Sequence, residues 1–157
     1  MPQLARLHAE AMDAGMALGA APGTDLEGLE RWHREALAER GRVVLVAELD
    51  GEVVGMAHVA PSGAANAPHR AEVQRVAVAA RVRGGGVGRG LMASVEAAAL
   101  ERGLTLLWLT THEASDACAF YEAVGYTKLG VMPSYSLRPD GTLSPGAFYC
   151  KELKRSS

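Results

Sequence analysis

Five glycines fall within residues 84–90, between a run of alternating apolar residues and an apolar stripe of helical spacing. The stretch reads "RVRGGGVGRGLM" over residues 81–92, and it constrains the architecture more than any other. Glycine disfavours the interiors of both strands and helices, so the chain leaves one element and enters another here. Upstream, "RAEVQRVAV" (70–78) alternates as a half-buried strand does, with Glu72, Gln74 and Val76 on one face while the pleat stays regular. Downstream, Val87, Leu91, Val95 and Ala98 recur at helical spacing until Gly103. Strand, glycine loop and helix in that order let backbone N–H groups and the helix dipole face an anion.

The flanking segments supply the rest of an α/β pattern. Leu4, Leu7, His8, Ala11, Met12 and Leu18 predict a first helix over 3–18. Thr24 or Asp25 can cap a second through Leu26, Leu29, His33, Ala36 and Leu37, stopped by Gly41. "VVLVAEL" (43–49) and "EVVGMAHVA" (52–60) flank Asp50-Gly51, a hairpin signal that pairs them antiparallel. After a loop at 61–69 come the strand at 70–78, the glycines and the third helix. "LTLLWLT" (104–110) reads as a strand apolar on both faces, covered on both sides. "SDACAFYEAVG" (115–125) predicts a last helix from a Ser115 cap to Gly125, followed by strand "YTKLGVM" (126–132). Residues 133–146 read as a turn-rich loop, "AFYCKEL" (147–153) as a final strand, and 154–157 as a frayed tail.

Composition narrows the functional classes. With 157 residues, 48% of them hydrophobic, the chain is expected to form one domain over 1–157. A net charge of −2 argues against a broad nucleic-acid footprint. No apolar run reaches the roughly 18 residues of a membrane span, and "MPQLARLHAE" lacks the pattern of a secretory signal, so a cytoplasmic location is expected. Cys118 and Cys150 stand in no metal-ligand spacing and read as reduced thiols. No metal site is expected.

Two common phosphate loops fail on spacing. Five positions after Gly85 comes Gly90, followed by Leu91 and Met92 instead of Lys and Ser/Thr, which excludes a P-loop. The dinucleotide pattern fails because Gly84 and Gly86 lead to Arg89, and Gly86 and Gly88 to Leu91. What remains is Arg83-x-x-Gly86-x-Gly88. In this form "VAVAARVRGGGVGRGLM" (76–92) resembles the acetyl-CoA-binding signature of the GNAT superfamily of N-acetyltransferases, and "CAFYEAVGY" (118–126) resembles its second signature. The resemblance implies the GNAT fold: a mixed, mostly antiparallel central sheet with helices on both faces. It also implies a strand ahead of "PQLARLHAEAM", whereas this sequence starts almost directly in the helix: either the sequence is trimmed at its start, or 43–49 becomes an exposed sheet edge that could favour a homodimer. Within the superfamily, "HRAEVQRVAV", "AFYEAVGYTKLGVMPSY" and "RPDGTLSPGAFYCKEL" are similar to the tabtoxin-resistance type of small-molecule acetyltransferase.

The resemblance implies roles residue by residue. The backbone of Val76, Ala77 and Val78 would pair with the pantetheine arm of acetyl-CoA, and the N–H groups of Arg83, Gly84, Gly85, Gly86, Val87, Gly88 and Arg89 would meet its pyrophosphate, with Arg81, Arg83 or Arg89 adding charge. Tyr121 matches the general acid that faces the departing sulfur. Glu72 matches a catalytic carboxylate of some members, with Gln74 orienting the substrate; His112 and Glu113 are rival bases. Tyr135, with Ser134 and Ser136, could line the acceptor site. Two positions depart from the family: Ala114 stands where many members have a cofactor-holding asparagine, and Thr110 where the tabtoxin-resistance type has an aspartate. The expected activity is acetyl transfer from acetyl-CoA to a small amine by direct attack in a ternary complex. The alternatives are a non-catalytic acyl-CoA-binding or regulatory module, and an acetyltransferase for peptide or protein amines.

Overall fold

Local signals account for most of the element boundaries in the computed structural model, which describes residues 1–138 and 140–154. The chain runs α1 (Pro2–Asp13), α2 (Leu26–Ala38), β1 (Val43–Leu49), β2 (Glu52–Pro61), β3 (Arg70–Val78), a 3₁₀ turn (Ala80–Val82), α3 (Val87–Glu101), β4 (Leu106–His112), α4 (Asp116–Ala123), β5 (Thr127–Leu137) and β6 (Leu143–Glu152). The tail expected at 154–157 lies, from residue 155 onward, outside the described residues. Asp25 caps α2, its carboxylate accepting the Gly28 N–H at 2.8 Å. Asp50 and Gly51 both have positive φ, as the two-residue hairpin between β1 and β2 requires.

The sheet order is β1-β2-β3-β4-β6-β5, with every pair antiparallel except β3 and β4. This is the expected α/β architecture, a mixed sheet between two helix layers. On one face, Leu91, Met92, Val95 and Ala99 of α3 and Tyr121 of α4 bury Ala57, Val59, Ala71, Val73, Leu107, Leu109, Ala147 and Tyr149. On the other, Leu4, Leu7 and Ala11 of α1 bury Val54, Met56 and Ala77. Each fully buried leucine or valine stabilises the fold by roughly 1.5–3 kcal/mol, so these two layers set the sheet's orientation against its helices.

Four expectations need correction. The first helix stops at Asp13, because Gly15 at φ +91 turns the chain and Leu18 falls in the following loop. The loop expected at 133–146 is largely strand: β5 reaches Leu137 and β6 begins at Leu143, with a bulge at Ser134 (φ 53) that admits Pro133 to this edge strand. β4 is covered on one face only, since Leu107 and Leu109 are buried but Trp108 is half-exposed and stacked on Phe148. Finally, β3 does not keep a regular pleat. Met56 pairs with Ala77 but His58 with Gln74, and the extra residue is absorbed at Arg75 with φ 54. Val76 therefore packs in the α3 layer while Ala77 packs in the α1 layer, and Val76 does not share a face with Glu72 and Gln74.

Candidate active site

The parallel pair opens like a wedge. β3 and β4 are bonded only at Arg70–Leu106, Ala71–Leu107 and Glu72–Trp108. β4 then stays with β6 as far as His112, while β3 runs on to Val78 with no partner strand on that side. Residues 73–78, including Val76, Ala77 and Val78, thus present a free backbone edge at the carboxyl ends of two parallel strands, where open α/β sheets take ligands.

That edge leads into a set of unsatisfied amides. Gly86 is the N-cap of α3 at φ 84, a left-handed conformation that a side chain disfavours by about 1–2 kcal/mol, and no side chain caps the helix. Among the described residues, no backbone carbonyl accepts the N–H groups of Gly84, Gly86, Val87, Gly88 or Arg89. A helix start with so many free donors and no cap presents the N–H groups that an anion needs. Gly88 has a different reason to lack a side chain: a Cβ there would come within 3.3 Å of the Phe120 ring of α4. The arginines divide. Arg81 pairs with Glu52, and Arg83 donates from Nε to the Val78 carbonyl at 3.1 Å, bracing the end of β3. Arg89 lines an open groove of about 400 Å³ between α3 and the end of α4, with the Lys151–Glu96 ion pair also in its wall.

Tyr121 is buried on the α3 side against Phe120, Tyr126 and Tyr149. Burial, with a smaller contribution from Cys118, raises its pKa above the ordinary tyrosine value, so the hydroxyl stays protonated and keeps its O–H available for donation. Ser115 stands at the N-cap of α4 as expected, but its hydroxyl donates to the His112 carbonyl at 2.8 Å instead of capping the helix.

Glu72 and Gln74 project from the opposite face, alternating with the buried Ala71 and Val73. Gln74 Nε2 donates to Glu72 Oε2 at 2.7 Å, and Gln74 Oε1 accepts from Arg42 Nη1 at 2.8 Å and from Arg75 Nη1. The bulge makes this possible, because a regular pleat would send consecutive Gln74 and Arg75 to opposite sides. The Arg75 guanidinium lies 3.5 Å from the centre of the Trp32 ring of α2. Behind it, His8, His33 and His58 form a fully buried cluster, with His8 Nδ1 and His33 Nε2 3.0 Å apart. Burial is the largest cause of their lowered pKa values, to about 4 for His8 and His33 and about 3 for His58, and Arg75 adds to it. These histidines carry no shared sequence motif, and spacing alone gave no reason to group them.

The same face continues across the wedge. Trp108, directly beside Glu72 in the ladder, stacks on Phe148, and Tyr135 packs edge-on against Phe148 at 5.1 Å. Thr110 Oγ1 donates to the Tyr135 hydroxyl at 3.4 Å. The sheet therefore offers a half-exposed aromatic shelf next to a carboxylate, an amide and a guanidinium. The rival bases are held by contacts of their own, although His112, two residues beyond Thr110 on the same side of β4, pairs in the ladder with Gly146, on which the Tyr135 ring rests. His112 Nδ1 is 2.8 Å from the buried Ser144 hydroxyl, its Nε2 is buried, and burial followed by Arg138 lowers its pKa. Glu113 faces Lys128 at 3.6 Å. Sequence reading missed Arg75, Arg42, Trp32, Trp108 and Phe148. Only Trp108 and Phe148 had a signal, as large aromatics alternating with buried aliphatics.

A wedge-opened parallel pair, a free-amide helix start and a buried tyrosine on α4 coincide with a sequence match of residues 6–126 to the Acetyltransferase (GNAT) family. The chain belongs to that family. It is a GNAT acetyltransferase, and such enzymes use acetyl-CoA. The ribosomal-protein-alanine N-acetyltransferase of Brucella melitensis is similar over 96% of this chain and 94% of its own, at 29% identity and a TM-score of 0.75. Salmonella typhimurium yncA, in a structure with its cofactor acetyl-CoA, aligns over 99% of this chain and 91% of its own, at 20% identity and a TM-score of 0.76. N-alpha-acetyltransferase 80 of Mus musculus is 45% identical over 74 residues, 47% of this chain but only 22% of the mouse protein. No helix among the described residues is long and apolar enough to cross a membrane, and no group of three metal-ligating side chains is found among them.

Proposed function

We propose that this acetyltransferase transfers the acetyl group of acetyl-CoA to the amine of a small molecule, by direct attack with both substrates bound. The observation that carries the reading is the wedge itself. It joins a backbone-lined channel on the α3 side to a side-chain-lined shelf on the α1–α2 side, so donor and acceptor can meet through the sheet without sharing a pocket. The free edge of Val76–Val78 matches the amides of a pantetheine arm, and the unsatisfied N–H groups of Gly84, Gly86, Val87, Gly88 and Arg89 match a pyrophosphate; those expected from Arg83 and Gly85 are instead donated to the Ala80 and Val82 carbonyls. Bound acetyl-CoA supplies an activated acetyl group and a thiol leaving group.

The chain's own residues then have two proton problems to solve. An amine of pKa about 10.4 is mostly protonated at pH 7, and reaching its neutral form costs roughly 4–5 kcal/mol. Glu72 accepts that proton directly or through water, and Gln74 fixes the carboxylate by its 2.7 Å bond. The amine nitrogen bonds to the acetyl carbon as the carbon–sulfur bond breaks; the nitrogen loses its second proton, and the sulfur takes up one. One proton is released overall. A thiol of pKa about 8.5 is already more acidic than an ordinary tyrosine at about 10, and burial widens that gap for Tyr121. Tyr121 therefore stabilises the departing sulfur by hydrogen-bond donation, with full proton transfer completed by solvent.

The similarity of β3, α4 and the last two strands to the tabtoxin-resistance type favours a small acceptor. The Brucella melitensis relative favours a peptide amine. Thiol release from acetyl-CoA across a panel of small amines and N-terminal peptides decides between them. Turnover of small amines is expected; a thermal shift with acetyl-CoA but no thiol release from any amine would make the protein a binding module instead.

A further inference from the structure

Arg75 is a guanidinium without a carboxylate. Among the described residues no acid pairs with it: it donates to Gln74 Oε1, stacks on Trp32, and its Nε is buried with no acceptor. The neighbouring Arg42 differs, since its Nε and Nη2 both reach Glu39 and its side chain is only 7% exposed. Two guanidinium groups thus converge on one amide oxygen; Arg42 pairs directly with Glu39, whereas Glu39 and Glu72 act on Arg75 only as charges beyond ion-pair distance. A partly buried cation left in this state costs free energy that a bound anion would return. The loop between α1 and α2 is fitted to it: Gly19, at φ +77, passes so close that a Cβ would lie 3.3 Å from Arg75 Nη2. Arg75 is also held at a strained backbone position, the kind of feature that persists where surrounding structure enforces it.

The placement of Arg75 relative to Glu72 specifies more than an anion. Glu72, Gln74 and Arg75 form a line in which one primary amide and its two hydrogen bonds separate the carboxylate from the guanidinium. A molecule lying across Gln74 meets a base at one end and an anion receptor at the other. Beyond Glu72 the shelf of Trp108 and Phe148 offers apolar surface for whatever the molecule carries in addition. Resting on the acetyltransferase reading above, we propose that the acceptor is an amino acid or a close analogue: an amine bearing a carboxylate on the same or an adjacent carbon, the nitrogen directed to Glu72 and the carboxylate to Arg75. A planar guanidinium suits this better than an ammonium, because it can offer two parallel N–H groups to one carboxylate.

The test compares matched acceptors. Phenylalanine, leucine and lysine are each assayed with their primary amides and decarboxylated amines, reading thiol release and kcat/KM in the unmodified enzyme. A charged hydrogen-bonded contact of this kind predicts a preference for the free acid of about 10- to 100-fold over its amide. Arg75→Gln should bring that ratio close to one, and Arg75→Lys should restore part of it. Because Arg75 also packs on Trp32, so that its variants put the fold itself at risk, the matched ratio in the unmodified enzyme decides on its own. Amines turned over with no preference for the acid overturn this inference and leave the acetyltransferase reading standing. No thiol release from any amine, with acetyl-CoA still raising Tm, overturns the reading beneath it. Faster turnover of peptides than of free amino acids overturns the small acceptor.

Discussion

The two faces of the wedge are built from different materials. On the α3 side the binding surface is backbone: a bare strand edge and a helix start whose amides point outward. On the α1–α2 side it is side chain: Glu72, Gln74, Arg75, Trp32 and the aromatic shelf. A backbone surface depends on where the chain goes, and a few glycines control that. A side-chain surface depends on which residues share a face, and in β3 one bulge decides it. On the proposed function, the first kind would meet groups common to every CoA thioester, whereas the second can be specific to one acceptor.

The largest expected contrast between the faces is in their response to acid. His8, His33 and His58 are buried and neutral beneath the acceptor face, with pKa values of about 4, 4 and 3 against an ordinary 6.5. The unfolded chain binds protons that the folded chain refuses between those values, so stability is complete above about pH 6.5 and falls as pH drops toward 4. Each histidine contributes about 1.4 kcal/mol per pH unit in that window, on the order of 4 kcal/mol per unit together. Urea unfolding at pH 7.5 and 5 should show the loss, and a midpoint independent of pH would remove the cluster from the stability of this face.

Next in size is chemistry at the junction. Tyr121→Phe should lower kcat by about 100-fold, within the usual range for a lost proton or hydrogen-bond donor, while acetyl-CoA raises Tm as before. Full activity in that variant would show that the tyrosine only packs. On the cofactor side, Gly86→Val forces a side chain into φ 84 and should weaken acetyl-CoA binding roughly tenfold. Calorimetry would read this, and KM for the amine should stay within about twofold if the faces are independent. The smallest effect belongs to the shelf. A Cβ at Gly146 would meet the Tyr135 ring at 2.6 Å, so Gly146→Ala displaces that ring at a cost of about 1–3 kcal/mol. Its signature is a several-fold rise in KM for the acceptor with acetyl-CoA affinity unchanged; a change in cofactor affinity instead would contradict the division.

The same difference in materials explains what could be read from the amino acids alone. Asp25, Asp50-Gly51, Gly86 and Gly125 act through their own backbone neighbourhoods, so helix starts, hairpin and loop were legible, and with them the fold. Arg75 was not. Alternation assigns it to the face opposite Gln74, and the bulge that reverses this follows from pairing with β2, a partner more than a dozen residues away. His8, His33 and His58 meet through three separate elements, which no short window contains. Tyr135 was read as loop because Pro133 interrupts the alternation, although an edge strand tolerates it.

The slip in β3 has a consequence for redesign. Residues before Arg75 and residues after it run on independent phases, so the segment 72–75 can be varied without rotating Val76–Val78. On the proposed function, a library randomised at Glu72, Gln74 and Arg75 would explore new acceptors while Val76–Val78 keep their place, whereas deleting a single residue from the same strand would bring Ala77 out of the α1 layer. Length, more than identity, is the protected property of this strand.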